Sequence, residues 1–131
     1  MKDPRWITTE MLHLIHARQV ELFGGSHGIV DPNVLESALN KPKHLRTYEP
    51  GSDMAALSAA YLCGFAQSQG FVDGNKRTAL AVTLTFLGLN GWELNVAKEE
   101  LLAFVLAIAR NELRQAAATE WIRARISRTT R

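Results

Sequence analysis

Gln69-Gly70-Phe71-Val72-Asp73-Gly74-Asn75-Lys76-Arg77-Thr78 stands where one apolar helical run stops and the next begins. Before it, Met54, Leu57, Ala60, Tyr61, Cys63, Gly64 and Phe65 recur at helical spacing to about Ser68, behind Ser52 as N-cap. The small residues Ala55, Ala56, Ala59, Ala60 and Gly64 let another helix approach closely, which marks this run as a central, buried helix. After it, a helix rich in Ala, Thr and Leu is expected from about Lys76 to Leu89, ended by Asn90-Gly91. Asp73-Gly74-Asn75 is the turn between the two. A polar turn joining two central helices sets the fold class as all-α.

The same period extends outward. Met11, Leu12, Ile15, Val20 and Leu22 follow Thr8 as N-cap, and Gly24-Gly25 closes that first helix. Residues 24–28 then form a flexible loop. Asp31-Pro32 reads as N-cap and first helical residue of a short helix through Val34, Leu35, Ala38 and Leu39, which Pro42 ends. Residues 41–51 are expected as an exposed loop or short hairpin. Trp92-Glu93-Leu94-Asn95 is an extended connector, followed by helices at about residues 98–110 and 112–126. The expectation is one domain over residues 1–131, a compact bundle of about six helices.

Bulk properties narrow the class. A 131-residue chain with 47% hydrophobic and 21% charged residues has material for one packed core. A net charge of +2 is too small to imply direct nucleic-acid binding. Cys63 is the sole cysteine, which excludes an internal disulfide, and its apolar neighbours mark a buried, inert thiol. Met1-Lys2-Asp3-Pro4-Arg5 does not lead into a signal-peptide run, and no segment approaches the ~18 apolar residues of a bilayer span. A cytoplasmic protein is expected. Arg123, Arg125, Arg128 and Arg131 near the end read as a solvated helix terminus or as a site for an acidic partner.

Residues 73–77 carry the chemistry. The first N–H groups of a helix lack intrahelical partners, and the helix dipole adds positive potential there. Gly74 removes the side chain that would block phosphate oxygens, while Lys76 and Arg77 add two charges. Asp73 is a hard oxygen ligand suited to a magnesium ion bridging to nucleotide phosphates. Asn75 can donate to phosphate or accept from the turn. Without a ligand these residues read as an N-cap, a turn glycine and a solvated first turn. Two adjacent cations at a helix N-terminus are unfavourable on their own, however, and call for an anion.

Phe71-Val72-Asp73-Gly74-Asn75-Lys76-Arg77 resembles the signature of the Fic/Doc family in its Doc (death-on-curing) form, His-x-Phe-x-Asp-[Gly or Ala]-Asn-Lys-Arg. Gly24-Gly25, the run from Asp31-Pro32 through Leu39, and Phe86-Leu87 through Asn90-Gly91 resemble the flanking Doc segments. The resemblance implies an all-helical core with the motif loop between two central helices, and a toxin of a bacterial toxin–antitoxin pair. It implies transfer of phosphate from ATP to a protein hydroxyl, with a threonine of elongation factor Tu as target, and so arrest of translation. Fic members instead transfer AMP, and their motif carries Gly where Lys76 stands and Arg where Leu80 stands. By this resemblance Asp73 holds magnesium, Gly74 and Asn75 line the anion seat, and Lys76 and Arg77 stabilise the phosphates. Phe71 anchors the loop. The implied partner is a Phd-type antitoxin, and residues 41–51, with Arg46 and Tyr48, are expected to dock the target.

The family's catalytic histidine falls at Gln69. An amide has no lone pair basic enough to take a hydroxyl proton near neutral pH. Losing a general base costs about 10²–10⁴-fold in rate, so this chain is expected to bind nucleotide but transfer phosphate poorly. The alternatives are a Fic-type AMP transferase and a pseudoenzyme that binds nucleotide or antitoxin without turnover. His13 and His16 lie three apart on one helix, a spacing that can bind metal but here lacks a third ligand. His27 and His44 are expected in loops.

Overall fold

The structure, a computed structural model, describes residues 3–130. Helix α1 (Thr9–Phe23) starts where the Thr8 hydroxyl accepts from the Met11 N–H, and ends at Gly24, whose φ of 84° only glycine adopts readily. Helix α2 (Pro32–Tyr48) starts at Asp31, whose carboxylate accepts from the Asn33 N–H. Helix α3 (Met54–Ala66) starts at Asp53, which accepts from the Ala56 N–H; Ser52 instead donates its hydroxyl to the Glu49 carbonyl, so the cap lies one residue later than expected. Helix α4 (Asn75–Leu89) follows the motif turn.

Helix α2 corrects the expected short helix and loop. It runs through Pro42, so residues 41–48 are helical and His44 is a helix residue. An interior proline costs roughly 3 kcal/mol through its missing donor and ring clash. Here Leu35, Ala38, Leu39 and Pro42 recur at helical spacing and are all buried, which puts the proline ring on the apolar stripe itself. That burial against α3 offsets the backbone loss. Only residues around Pro50-Gly51 turn.

The C-terminal part also differs from expectation. Helix α5 (Lys98–Ala109) is followed by a short α6 (Gln115–Arg123), and the chain then leaves the helix. Strand β2 (Ile126–Arg128) pairs antiparallel with β1 (Trp92–Leu94), in the register Trp92–Arg128, Glu93–Ser127 and Leu94–Ile126. The extended connector therefore has a partner, because three backbone residues with no other ladder find one in each other. Arg123 and Arg128 are solvent-exposed, as expected, and the described terminal arginines also have partners within the chain. Arg123 donates to Asp53 (2.7 and 2.9 Å) and pairs with Glu120; Arg125 bonds Glu100 (2.9 Å); Arg128 lies 4.9 Å over the Trp92 ring. Arg131 lies outside the described residues.

The result is an all-α fold, with six helices and one two-stranded ribbon among the described residues. Helix α3 is the hub, buried along almost its whole length and packed against α2, α4, α5 and α6. Its alanines allow that close approach, as expected. One hydrophobic cluster runs from Ile7 to Ile122. Within it Tyr61 is fully buried, its hydroxyl accepting from the Ile7 N–H, and burial pushes its pKa up to about 12. Cys63 is buried too, and that desolvation raises the thiol pKa, as an inert cysteine requires. Among the described residues, no helix is long and apolar enough to cross a membrane.

Candidate functional site

Residues 67–74 connect α3 to α4 and run under the loop that follows α1. Gly70 lets this connection press onto α2, because a Cβ there would overlap the Leu35 side chain. Its carbonyl accepts from Val30 (2.8 Å) and Asp31 (3.2 Å), and the Val72 N–H donates to the Gly28 carbonyl (3.1 Å). Ile29 and Phe71 thus form an isolated antiparallel bridge. The loop after α1, expected merely as flexible, is one wall of the site. Residues 41–51, expected as an exposed loop that docks the target, belong mostly to α2.

Phe71 is buried, as the anchoring role requires, and it lies flat against His16 of α1 with ring centroids 3.7 Å apart and planes 5° apart. His13 meets the same ring edge-on at 6.2 Å. The two histidines therefore serve the Phe71 packing. Nε2 of His16 is also 2.8 Å from the Asp73 carbonyl oxygen. Among the described residues no group of three or more His, Cys, Asp or Glu side chains is arranged to hold a metal.

Asn75 closes the turn. Its Oδ1 accepts from the Phe71 N–H (3.0 Å) and its Nδ2 donates to the Phe71 carbonyl (2.9 Å). One acceptor site and one Nδ2 hydrogen of the amide are thereby committed to the loop, which includes the turn-accepting option that its chemistry allows. Gly74 takes φ 81°, a left-handed conformation, and its carbonyl accepts the first helical bond of α4 from Thr78. No side chain caps α4.

Around this turn lies a cleft of about 300 Å³ lined by Phe23, Gly24, Gly25 and all five residues from Asp73 to Arg77. One carboxylate against two cations leaves it positive. The Ser26 N–H donates to Asp73 Oδ2 (2.8 Å), which fixes the carboxylate at the mouth. A Cβ on Gly25 would stand 3.1 Å from that of Asp73, so a glycine keeps the wall thin there. Arg77 donates to the Phe23 carbonyl (3.4 Å) and lies 5.0 Å over the Phe23 ring, which sets its cation against the negative end of α1. A larger depression of about 680 Å³, between α2, α3 and α6, is remote from this chemistry, and in its lining Arg123 pairs with both Asp53 and Glu120.

Of the residues singled out in the sequence, Asp73, Gly74, Asn75, Lys76 and Arg77 come together in one cleft. Gln69 is exposed and lies outside that lining, at the far end of the bridged segment. His44 lines a groove between α2 and α3 with Cys63, Gly64 and Gln67, away from the seat. Sequence reading missed Phe23, Gly25, Ser26 and above all His16. The signal for His16 existed: it falls in register with buried Leu12 and Val20, a polar residue inside an apolar stripe.

The family model described as Fic/DOC family matches residues 6–87. A protein kinase doc of Escherichia phage P1 is 31% identical over 119 residues, which covers 91% of this chain and 94% of that one. A Toxin Doc of Mycolicibacterium smegmatis is 38% identical over 76 residues, 55% of this chain and 56% of that one. The loop these residues build between two central helices is the part of the fold in which the motif lies, and the chain belongs to the Fic/DOC family, on its Doc branch.

Proposed function

We propose that this chain is a Doc-type toxin whose cleft binds ATP with magnesium and phosphorylates a protein hydroxyl, slowly because Gln69 replaces the base. One observation carries the reading: the left-handed Gly74 opens α4 into a cleft where Lys76 and Arg77 stand beside the Asp73 carboxylate. Uncommitted amides at a helix start and two cations suit phosphate oxygens, and a single carboxylate suits a magnesium ion that keeps water and phosphate as its other ligands. When bound, the magnesium would hang on Asp73 and neutralise phosphate charge.

The transfer needs the target hydroxyl oxygen to bond the γ-phosphorus as the bond to the departing ADP oxygen breaks. Lys76 and Arg77 would stabilise the charge on the phosphates. Gln69 offers the hydroxyl proton no base, since its amide can only orient the hydroxyl, so the proton leaves to a γ-phosphate oxygen or to water. Lys76 in place of Gly and Leu80 in place of Arg favour phosphate over AMP transfer, as does the kinase name of the phage relative. Gln69 favours one second reading, a chain that binds nucleotide or antitoxin without turnover.

The target would be elongation factor Tu and the antitoxin a Phd-type protein. Target docking is assigned to the segment beside the bridge, where Ile29, Val30 and Val72 are exposed hydrophobics next to the cleft. The experiment incubates the chain and its Gln69→His variant with magnesium, elongation factor Tu, and ATP labelled on the α- or γ-phosphate. The variant should transfer γ-label about 10²–10⁴-fold faster. α-label on the target would mean AMP transfer, and equal rates for the two proteins would sink the account of Gln69.

A further inference from the structure

We infer that His16 is a positioning residue for the candidate cleft: it holds the Asp73–Gly74 peptide so that the first amides of α4 point toward the ligand. The inference rests on the reading of that cleft as a phosphate seat, but its observations come from α1, outside the motif. His16 is 5% exposed, in the stripe that Leu12 and Val20 bury. Its Nε2 is 2.8 Å from the Asp73 carbonyl oxygen. A carbonyl only accepts, so Nε2 carries the proton and donates it.

That bond has a specific consequence. The Asp73 carbonyl and the Gly74 N–H belong to one peptide plane and point in opposite directions. Gly74 is left-handed, and glycine visits both signs of φ at little cost. A flip of this peptide would turn the Asp73 carbonyl, a partial negative charge, to where the Gly74 N–H points now. The helix does not prevent the flip by itself. Side chains of Thr8, Asp31 and Asp53 cap α1, α2 and α3, whereas α4 has no such cap.

The imidazole supplies the missing restraint from the neighbouring helix. Its stack on Phe71 (3.7 Å between centroids, planes 5° apart) sets the ring's own orientation. The point where a Gly74 Cβ would stand is 3.8 Å from both Cδ2 and Nε2, so the ring edge is also the floor beneath the turn. With Nε2 spent on a backbone carbonyl, His16 is not a substitute for the base missing at Gln69. It acts through Asp73 and Gly74.

Two variants separate positioning from packing. His16→Phe keeps a flat ring against Phe71 but deletes the donor, and His16→Gln returns an N–H at similar reach. Each is compared with the parent for Mg·ATP affinity by calorimetry, for thermal unfolding, and for amide hydrogen exchange at Phe71, Val72 and Thr78, whose N–H groups are bonded in the folded loop. His16→Phe should bind Mg·ATP at least tenfold more weakly and exchange those amides at least tenfold faster, with His16→Gln recovering most of both. A His16→Phe protein that melts lower but keeps the parent's affinity and loop exchange would overturn the inference. If the parent itself binds no Mg·ATP, the phosphate reading fails, and the exchange difference between the two variants still decides for or against His16.

Discussion

Asn75 is the residue on which the motif loop closes, because one amide has a donor and an acceptor spaced to satisfy both backbone groups of Phe71. Removing it leaves two part-buried backbone groups without partners, each worth about 1–3 kcal/mol. Asn75→Ala is accordingly expected to lower unfolding free energy by roughly 2 kcal/mol in denaturant titration, with the loss confined to the loop and α4 in hydrogen exchange. An unchanged midpoint would show that the loop does not depend on this amide. At the same scale, Asp73 was legible from its type and place, while the partner that orients it, the Ser26 N–H, was not. A backbone N–H is present at every residue but proline, so no residue type advertises which one will reach a carboxylate 47 positions away.

Among the elements, α3 and α6 are tied by the Asp53–Arg123 pair at the start of the one and the end of the other. The Arg123 hydrogen bond, and then the Ala56 N–H, hold the Asp53 carboxyl below its ordinary value of 3.8, against burial, which raises it. A carboxylate whose folded pKa is depressed contributes stability above its unfolded pKa and loses it as pH falls through the folded one. The contribution should be full at neutral pH and disappear as pH falls below about 4. Both side chains are nearly half exposed, so solvent screening keeps the pair to below about 1 kcal/mol. Thermal unfolding of the parent and Asp53→Asn against pH checks this: the gap between them should narrow on acidification. A constant gap would show that ionisation of Asp53 contributes nothing to stability. Elements were legible where caps and apolar period agreed, as at Thr8 and Asp31. They were misjudged where tertiary packing overrode a local rule, as when burial of Pro42 carried α2 six residues past its expected stop.

For the molecule as a whole, the test of the phosphate reading is linkage. A ligand that binds only the folded chain stabilises it by about 2.7 kcal/mol at a hundred times its Kd. For a chain of this size that corresponds to a rise in Tm of roughly 10 °C. Mg·ATP should raise the Tm of the parent by such an amount in a thermal scan, and the rise should vanish when Lys76 and Arg77 are both replaced by alanine. A rise that persists in the double variant would place the nucleotide elsewhere on the protein. Sequence by itself determined the all-α class, the central α3 and the run of residues that forms the cleft, because helical period, small residues and motif spacing are local properties. Only the tertiary structure decided that the loop after α1 walls the cleft, that His16 lies beneath the turn, and that β1 finds its partner in β2. Those contacts join segments dozens of residues apart, and which of many equivalent backbone groups meet is settled by how the helices pack, not by the residue types at either end.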